Sequence, residues 1–201
     1  MKLLCNQSDF VFLEDYINSI RNCDLILYTP ETPPFQQPDY YMCIRRIPFH
    51  LIPGGSKIGF INTEQLCVPS KYAEYLMYAI SGIEIFDYSE ENIRISGKGK
   101  FLPYQEVLAE TEKLKGFLDV PKEYDFAVVG TPSEYRFEVI KKYKNAGFTI
   151  NYVHGWKDER DKEIGKCRAL LNIHYNSEYR IYESIRCNRW KFAGMPILDA
   201  L

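Results

Sequence analysis

The stretch Asp125-Phe126-Ala127-Val128-Val129-Gly130-Thr131-Pro132-Ser133-Glu134 constrains the fold more than any other part of this chain. Its apolar run reads as a buried strand, and Gly130 follows where the backbone must turn. Thr131 is expected to cap a helix, Pro132 suits its first position, and Glu134 stands three residues after the cap, as in a capping box. Phe137, Ile140 and Tyr143 then mark an apolar helix face, and Gly147 ends the helix. A strand that feeds a helix through a tight turn is the unit of a parallel sheet covered by helices.

The same alternation recurs along the chain. Strands are expected at 24–28, 41–45, 57–61, 83–86, 125–129, 149–153, 169–173 and 196–198. Helices are expected at 10–20, 71–81, 104–115, 133–146, 159–166 and 177–189. The proline-rich segment 29–38 and the Pro53-Gly54-Gly55 turn are loops. The fold class is therefore α/β. A fresh strand–turn–helix series begins after 112–123, which predicts two lobes, 1–115 and 116–201.

Several function classes are disfavoured at this level. Lys and Arg are dispersed and the net charge is -2, so nucleic acid is not the expected partner. No apolar run approaches the roughly 20 residues that span a bilayer, and the amino terminus lacks a signal-peptide pattern, so a cytoplasmic protein is expected. Six cysteines are scattered without a CxxC pair, and no Asp-x-Asp occurs, so no metal site is expected.

Chemistry-bearing residues gather at the expected strand ends. A glycine turn at a helix start, here Gly130-Thr131, favours phosphate, although neither GxGxxG nor GxxxxGK[ST] is present. His174 and Tyr175 follow the strand at 169–173, and Glu183, Arg186 and Asn188 lie on the next helix. Glu183 can accept both hydroxyls of a ribose, and Arg186 can hold that carboxylate or a phosphate. By spacing alone a solvated Glu183–Arg186 ion pair on a surface helix is the better fit. Gly155-Trp156 follows another strand, where Trp156 either flanks a base or closes the core edge. Glu64 and Asp87 end strands of the first lobe.

Two strings carry a family resemblance: Leu170-Leu171-Asn172-Ile173-His174-Tyr175, and Tyr182-Glu183-Ser184-Ile185-Arg186-Cys187-Asn188-Arg189-Trp190 running on to Pro196-Ile197. They resemble the carboxyl-terminal lobe of GT-B-type glycosyltransferases, in a group with relatives in large DNA viruses and microbes. Asn62-Thr63-Glu64-Gln65-Leu66, Phe86-Asp87-Tyr88-Ser89 with Asn92, and Leu102-Pro103-Tyr104 follow the same order as in that group's first lobe. The resemblance implies two Rossmann-like lobes, compact and shortened at the carboxyl end, with an acceptor-side lobe first and a donor-binding lobe second. It implies transfer of a sugar from a nucleotide-sugar donor to a hydroxyl of a carbohydrate or glycoprotein acceptor, without metal or cofactor, in the host cytoplasm if the protein is viral. It places Glu183 at the ribose, Gly130 and Thr131 near the diphosphate, Gly155 and Trp156 near the base, and His174 and Tyr175 near the sugar. Arg186 and Asn188 support Glu183 or the phosphates, and Asp87 and Glu64 are candidates for the base. A catalytically inactive nucleotide-sugar-binding module and an unrelated α/β nucleotide- or phosphate-binding enzyme are the alternatives.

Overall fold

The structure is a computed structural model and describes residues 1–200. The first unit, Met1–Gln105, contains β1 (Lys2–Asn6), α1 (Gln7–Ser19), β2 (Asp24–Tyr28), β3 (Tyr40–Ile44), β4 (Lys57–Asn62), α2 (Pro69–Ala79), β5 (Glu84–Asp87), α3 (Glu90–Ser96) and β6 (Lys100–Phe101). The second, Glu106–Leu201, contains α4 (Leu108–Leu118), β7 (Tyr124–Val128), α5 (Glu134–Asn145), β8 (Ile150–Tyr152), α6 (Lys157–Gly165), β9 (Cys167–Ile173), α7 (Ser184–Phe192) and β10 (Ile197–Ala200). Every strand pairing is parallel, in the orders β2-β1-β3-β4-β5-β6 and β10-β9-β7-β8. The chain is an α/β protein built on two parallel sheets.

In the second unit, helices cover both faces of the sheet. Val128 and Leu171 pack with Val139 and Ile140 of α5 on one face. Leu170 and Ala127 pack with Leu114, Ile164 and Trp190, from α4, α6 and α7, on the other. This double burial explains why β7 and β9 read as continuous apolar runs rather than alternating ones.

The boundary falls after Gln105, not after residue 115 as expected. Helix α4 belongs wholly to the second unit, and its contacts show why. Lys122 Nζ donates to the Leu118 and Gly165 carbonyls at 2.6 Å each, tying the ends of α4 and α6 together. A Cβ on Gly165 would stand 2.2 Å from the Phe117 carbonyl oxygen of α4. Backbone cannot yield as a side-chain tip does. Gly165→Ala is therefore expected to cost about 2–3 kcal/mol by overpacking, read as a lower denaturant midpoint.

Two elements are absent from the sequence expectation, β1 and β6, while α3 follows the helix start readable at Ser89–Asn92. Strand β1 has an apolar centre of only three residues, Leu3-Leu4-Cys5, and no turn residue separates it from α1. Asn6 ends the strand and also caps the helix, accepting from Ser8 N at 2.9 Å. Two helix starts differ as well. Ser133, not Thr131, caps α5 by accepting from Arg136 N at 3.2 Å, so Glu134 opens the helix instead of completing a capping box. Helix α7 begins at Ser184, because an Asn176-centred turn and the buried Ile181 occupy the preceding residues. Among the described residues, no helix is long and apolar enough to cross a membrane.

Candidate functional site

In the order β10-β9-β7-β8, consecutive strands wind away from β7 in opposite directions, so the topology switches between β7 and β9. Such a switch opens a crevice at the carboxyl ends of the strands. Gly130 lies two residues beyond β7 there, Asn172 and Ile173 close β9, and His174 follows them. Two guanidinium groups reach the same point, Arg136 from α5 and Arg186 from α7. A Cβ built on Gly130 would lie 2.7 Å from Arg136 Nη1 and 2.9 Å from Arg186 Nη1. Gly130 also adopts φ 117°, a conformation that favours glycine. The glycine is required here because two cations converge on its Cα.

The two arginines are held differently. Arg186 pairs with Glu183, donates to Asn172 Oδ1, and donates to the Ile173 carbonyl at 3.3 Å. Asn172 Nδ2 donates in turn to Asp199 Oδ1 at 2.6 Å. Arg136 is only 3% exposed, and its partners are two neutral carbonyls and the Tyr152 hydroxyl. Its Nε donates to Ile173 O at 2.9 Å and its Nη1 to Thr131 O. No carboxylate pairs with Arg136 among the described residues. Burial pulls both guanidinium groups below their usual range, yet arginine keeps its proton. A buried, unpaired cation is costly unless an anion arrives to neutralise it.

His174 borders the same crevice. It is 3% exposed, and neither ring nitrogen has a hydrogen-bond partner. Its Nε2 lies 3.7 Å from Asp199 Oδ1. Burial holds the ring below its ordinary value of 6.5, and Arg186 and Arg136 push the same way against the pull of Asp199. Tyr175 is half-exposed, with the Arg136 guanidinium 6.0 Å from its ring centre. Thus Gly130, Thr131, His174, Tyr175, Glu183 and Arg186 come together around one crevice.

The remaining expected residues are placed elsewhere. Gly155 (φ 101°) and Trp156 follow β8, the edge strand beyond β7, and Trp156 caps α6 with half its surface exposed. Asn188 lies half-buried on α7, with its Oδ1 lacking a hydrogen-bond partner. Glu64 is held in an ion-pair network with Arg45 at 3.0 Å and Lys71 at 3.3 Å.

Asp87 is 1% exposed and sealed into a hydrogen-bond network. Its Oδ2 accepts from Asn62 Nδ2 at 2.7 Å, and its Oδ1 accepts from Ser89 N and Asn92 Nδ2 at 2.9 Å each. Asn92 Oδ1 accepts from Leu66 N at 2.8 Å, and its Nδ2 donates to the Glu64 carbonyl at 2.9 Å. The Asn62, Asp87, Ser89 and Asn92 motif thus clamps the loop after β4 to the start of α3. A carboxylate with three internal donors and no route to solvent is poorly placed to take a proton from a ligand.

The pH dependence of this clamp is testable. Burial pushes the Asp87 carboxyl up to about 6, against the pull of its donors, from 3.8. A raised carboxyl pKa favours the folded state below 3.8, and this stability is lost as pH rises through about 6. The shift corresponds to about 3 kcal/mol. Denaturant titrations between these pH values should show wild-type stability falling relative to Asp87→Asn, which cannot titrate. At neutral pH, Asp87→Asn is expected to cost about 1–3 kcal/mol, because its amide opposes that of Asn62. A base role would instead cost activity and leave stability unchanged.

Sequence reasoning missed Arg136 as part of the crevice, whereas Asn172 stands in the strand-end string read with His174 and Tyr175. A signal for Arg136 is present. Positions 136, 139, 140 and 143 follow the i, i+3, i+4, i+7 pattern of a core-facing stripe, and arginine interrupts it. Phe137, expected on the apolar face, is half-exposed.

Fold and site together define an α/β protein of parallel sheets with a cationic crevice at a topological switch point. The chain is 32% identical over 208 residues to "Uncharacterized protein L140" of Acanthamoeba polyphaga mimivirus, covering 98% of this chain and 68% of that protein. It belongs to the family of that mimivirus protein. It is also 41% identical over 144 residues to "Uncharacterized protein L137" and 30% identical over 223 residues to "Uncharacterized protein L138" of the same virus. These alignments cover 69% and 98% of this chain, but only 20% and 25% of those relatives. No family model matches the chain, and no solved structure matches it.

Proposed function

We propose that this chain is a glycosyltransferase of the GT-B type whose second unit holds the diphosphate of a nucleotide-sugar donor. The observation that carries the reading is the convergence of Arg136 and Arg186 on Gly130, with Arg136 lacking a carboxylate. In the reaction, an acceptor hydroxyl oxygen bonds to the anomeric carbon as the bond from that carbon to the diphosphate oxygen breaks. The leaving diphosphate keeps the electron pair, and Arg136 and Arg186 stabilise its developing charge. Glu183, at the start of α7, presents a carboxylate to the ribose diol while Arg186 orients it. His174 and Tyr175 line the side of the crevice where the sugar would lie. The acceptor proton has no assigned base, since Asp87 is sealed and Glu64 is ion-paired.

That last point favours one second reading, a module of the same fold that binds a nucleotide sugar without turning it over. Thermal unfolding against a panel of nucleoside diphosphates and their sugar derivatives tests both. A ligand at 100 times its dissociation constant should add about 2.7 kcal/mol. Binding that depends on Glu183 and is accompanied by release of the diphosphate supports transfer. Binding without turnover supports the module, and no binding to a folded sample defeats both.

A further inference from the structure

A buried imidazole without a hydrogen-bond partner stands beside the two arginines. His174 is 3% exposed, and both of its ring nitrogens are buried and unpaired. A neutral imidazole carries one donor and one acceptor, and burying both unpaired costs free energy. Such a group in a folded protein calls for a role that offsets the cost. Asp199 Oδ1, on β10, lies 3.7 Å from Nε2, near enough to act on a charge but too far for a hydrogen bond.

The surroundings of the ring keep it neutral as the protein stands. Burial opposes a proton most. Arg186 from α7 and Arg136 from α5 oppose it too, and Asp199 from β10 favours it. The balance lies below the ordinary value of 6.5.

An anion changes that balance. Arg186 pairs with Glu183, while Arg136 and Asp199 offset each other in number though not in contact. These four side chains therefore carry no net charge while His174 is neutral. A dianion seated where the arginines converge on Gly130 leaves an excess of negative charge and cancels the field that keeps the proton away. One proton on His174 removes part of that excess. The resulting imidazolium can then donate to Asp199, which gives the ring the partner it lacks.

We propose that His174 takes up a proton from solvent when a dianion, a phosphate or diphosphate group, enters the crevice, and that the imidazolium then pairs with Asp199. The ring acts as a third cation that forms only with the anion bound. Because the coupling is reciprocal, protonation strengthens binding as much as binding strengthens protonation. Affinity for dianions therefore rises as pH falls, and the gain is lost as pH rises through the value at which the anion-bound ring titrates. The inference rests on the anion site of the donor reading, not on sugar transfer.

Sulfate is the probe, because it stays dianionic while an imidazole titrates. Proton NMR follows the His174 ring in the full chain between about pH 5 and 8, with and without sulfate, and His174→Gln identifies its signal. Sulfate is expected to raise the pH at which the ring titrates. Sulfate should also bind roughly tenfold more tightly at the acid end of this range than at the alkaline end. His174→Gln keeps both arginines, so it should still bind sulfate, with an affinity that no longer follows pH. Asp199→Asn removes the carboxylate that favours the proton, so the rise in affinity should move to lower pH. A ring that titrates at the same pH with and without bound sulfate would overturn the inference, as would an equal pH dependence in His174→Gln. Either result would leave the donor reading intact. Failure of sulfate and of every nucleoside diphosphate to bind at any pH would overturn both together. A sulfate-linked ring in a protein that ignores every nucleotide sugar would support the inference and defeat the donor reading.

Discussion

Asp161→Ala is expected to destabilise the second unit by about 3 kcal/mol, the cost of breaking a buried ion pair from one side. Asp161, on α6, is 3% exposed, and Arg189, on α7, is 7% exposed. The guanidinium donates to Asp161 through Nη1 at 3.0 Å and Nη2 at 2.8 Å. On its other side it donates to Glu110 of α4 through Nε at 2.9 Å and Nη2 at 2.6 Å. Arg160 Nε adds a further bond to Asp161 at 2.9 Å. One arginine thus joins three helices, and loss of Asp161 takes away the more deeply buried of the two carboxylates it bridges. Denaturant unfolding of Asp161→Ala, Arg189→Met and the double variant checks this. The double variant should cost less than the sum of the singles, because it leaves no buried charge unpaired. A cost below about 1 kcal/mol for Asp161→Ala would mean that water replaces the carboxylate.

Arg136→Met is expected to separate ligand binding from stability. The side chain carries a buried charge that no carboxylate compensates, so its removal should leave the stability of the unliganded protein within about 1 kcal/mol of wild type. Loss of the bonds to Ile173 O and Thr131 O offsets part of the relief. Binding of a nucleoside diphosphate should fall by a factor of roughly ten to a hundred, the value of a charge-assisted contact. Arg136→Lys should recover little, because a point charge cannot occupy both carbonyls and also face a phosphate as the planar fork does. Calorimetric titration of the three proteins with one nucleoside diphosphate decides the matter. Equal affinity in wild type and Arg136→Met would remove Arg136 from the site and the main support for the donor reading.

The parts of the fold that could be read in advance share a local origin. The strand at β7 and helix α5 follow from an apolar run, a glycine turn and a 3.6-residue period within two dozen residues, and Gly147 ends the helix at φ 93°. Glu183 and Arg186 fall three apart on or beside one helix turn, so their pairing was equally readable. Strand β1 escaped because its signal is three apolar residues long, too short to separate strand from helix by period. Thr131 and Ser133 are both competent caps, and only the path of the backbone after Gly130 decided between them.

The sequence by itself determined that this protein is α/β, that its strands run parallel, and where most of its helices lie, because those properties follow from patterns between near neighbours. The tertiary structure alone decided which polar residues are available for chemistry. Asp87 sits at a strand end in either view, but Asn62, 25 residues before it, helps seal it from solvent. Arg136 looks like an ordinary helix residue until β9, 37 positions later, presents the Ile173 carbonyl beside it. Burial and pairing of a charge are set by groups far apart in the chain, and no local period records which of them meet.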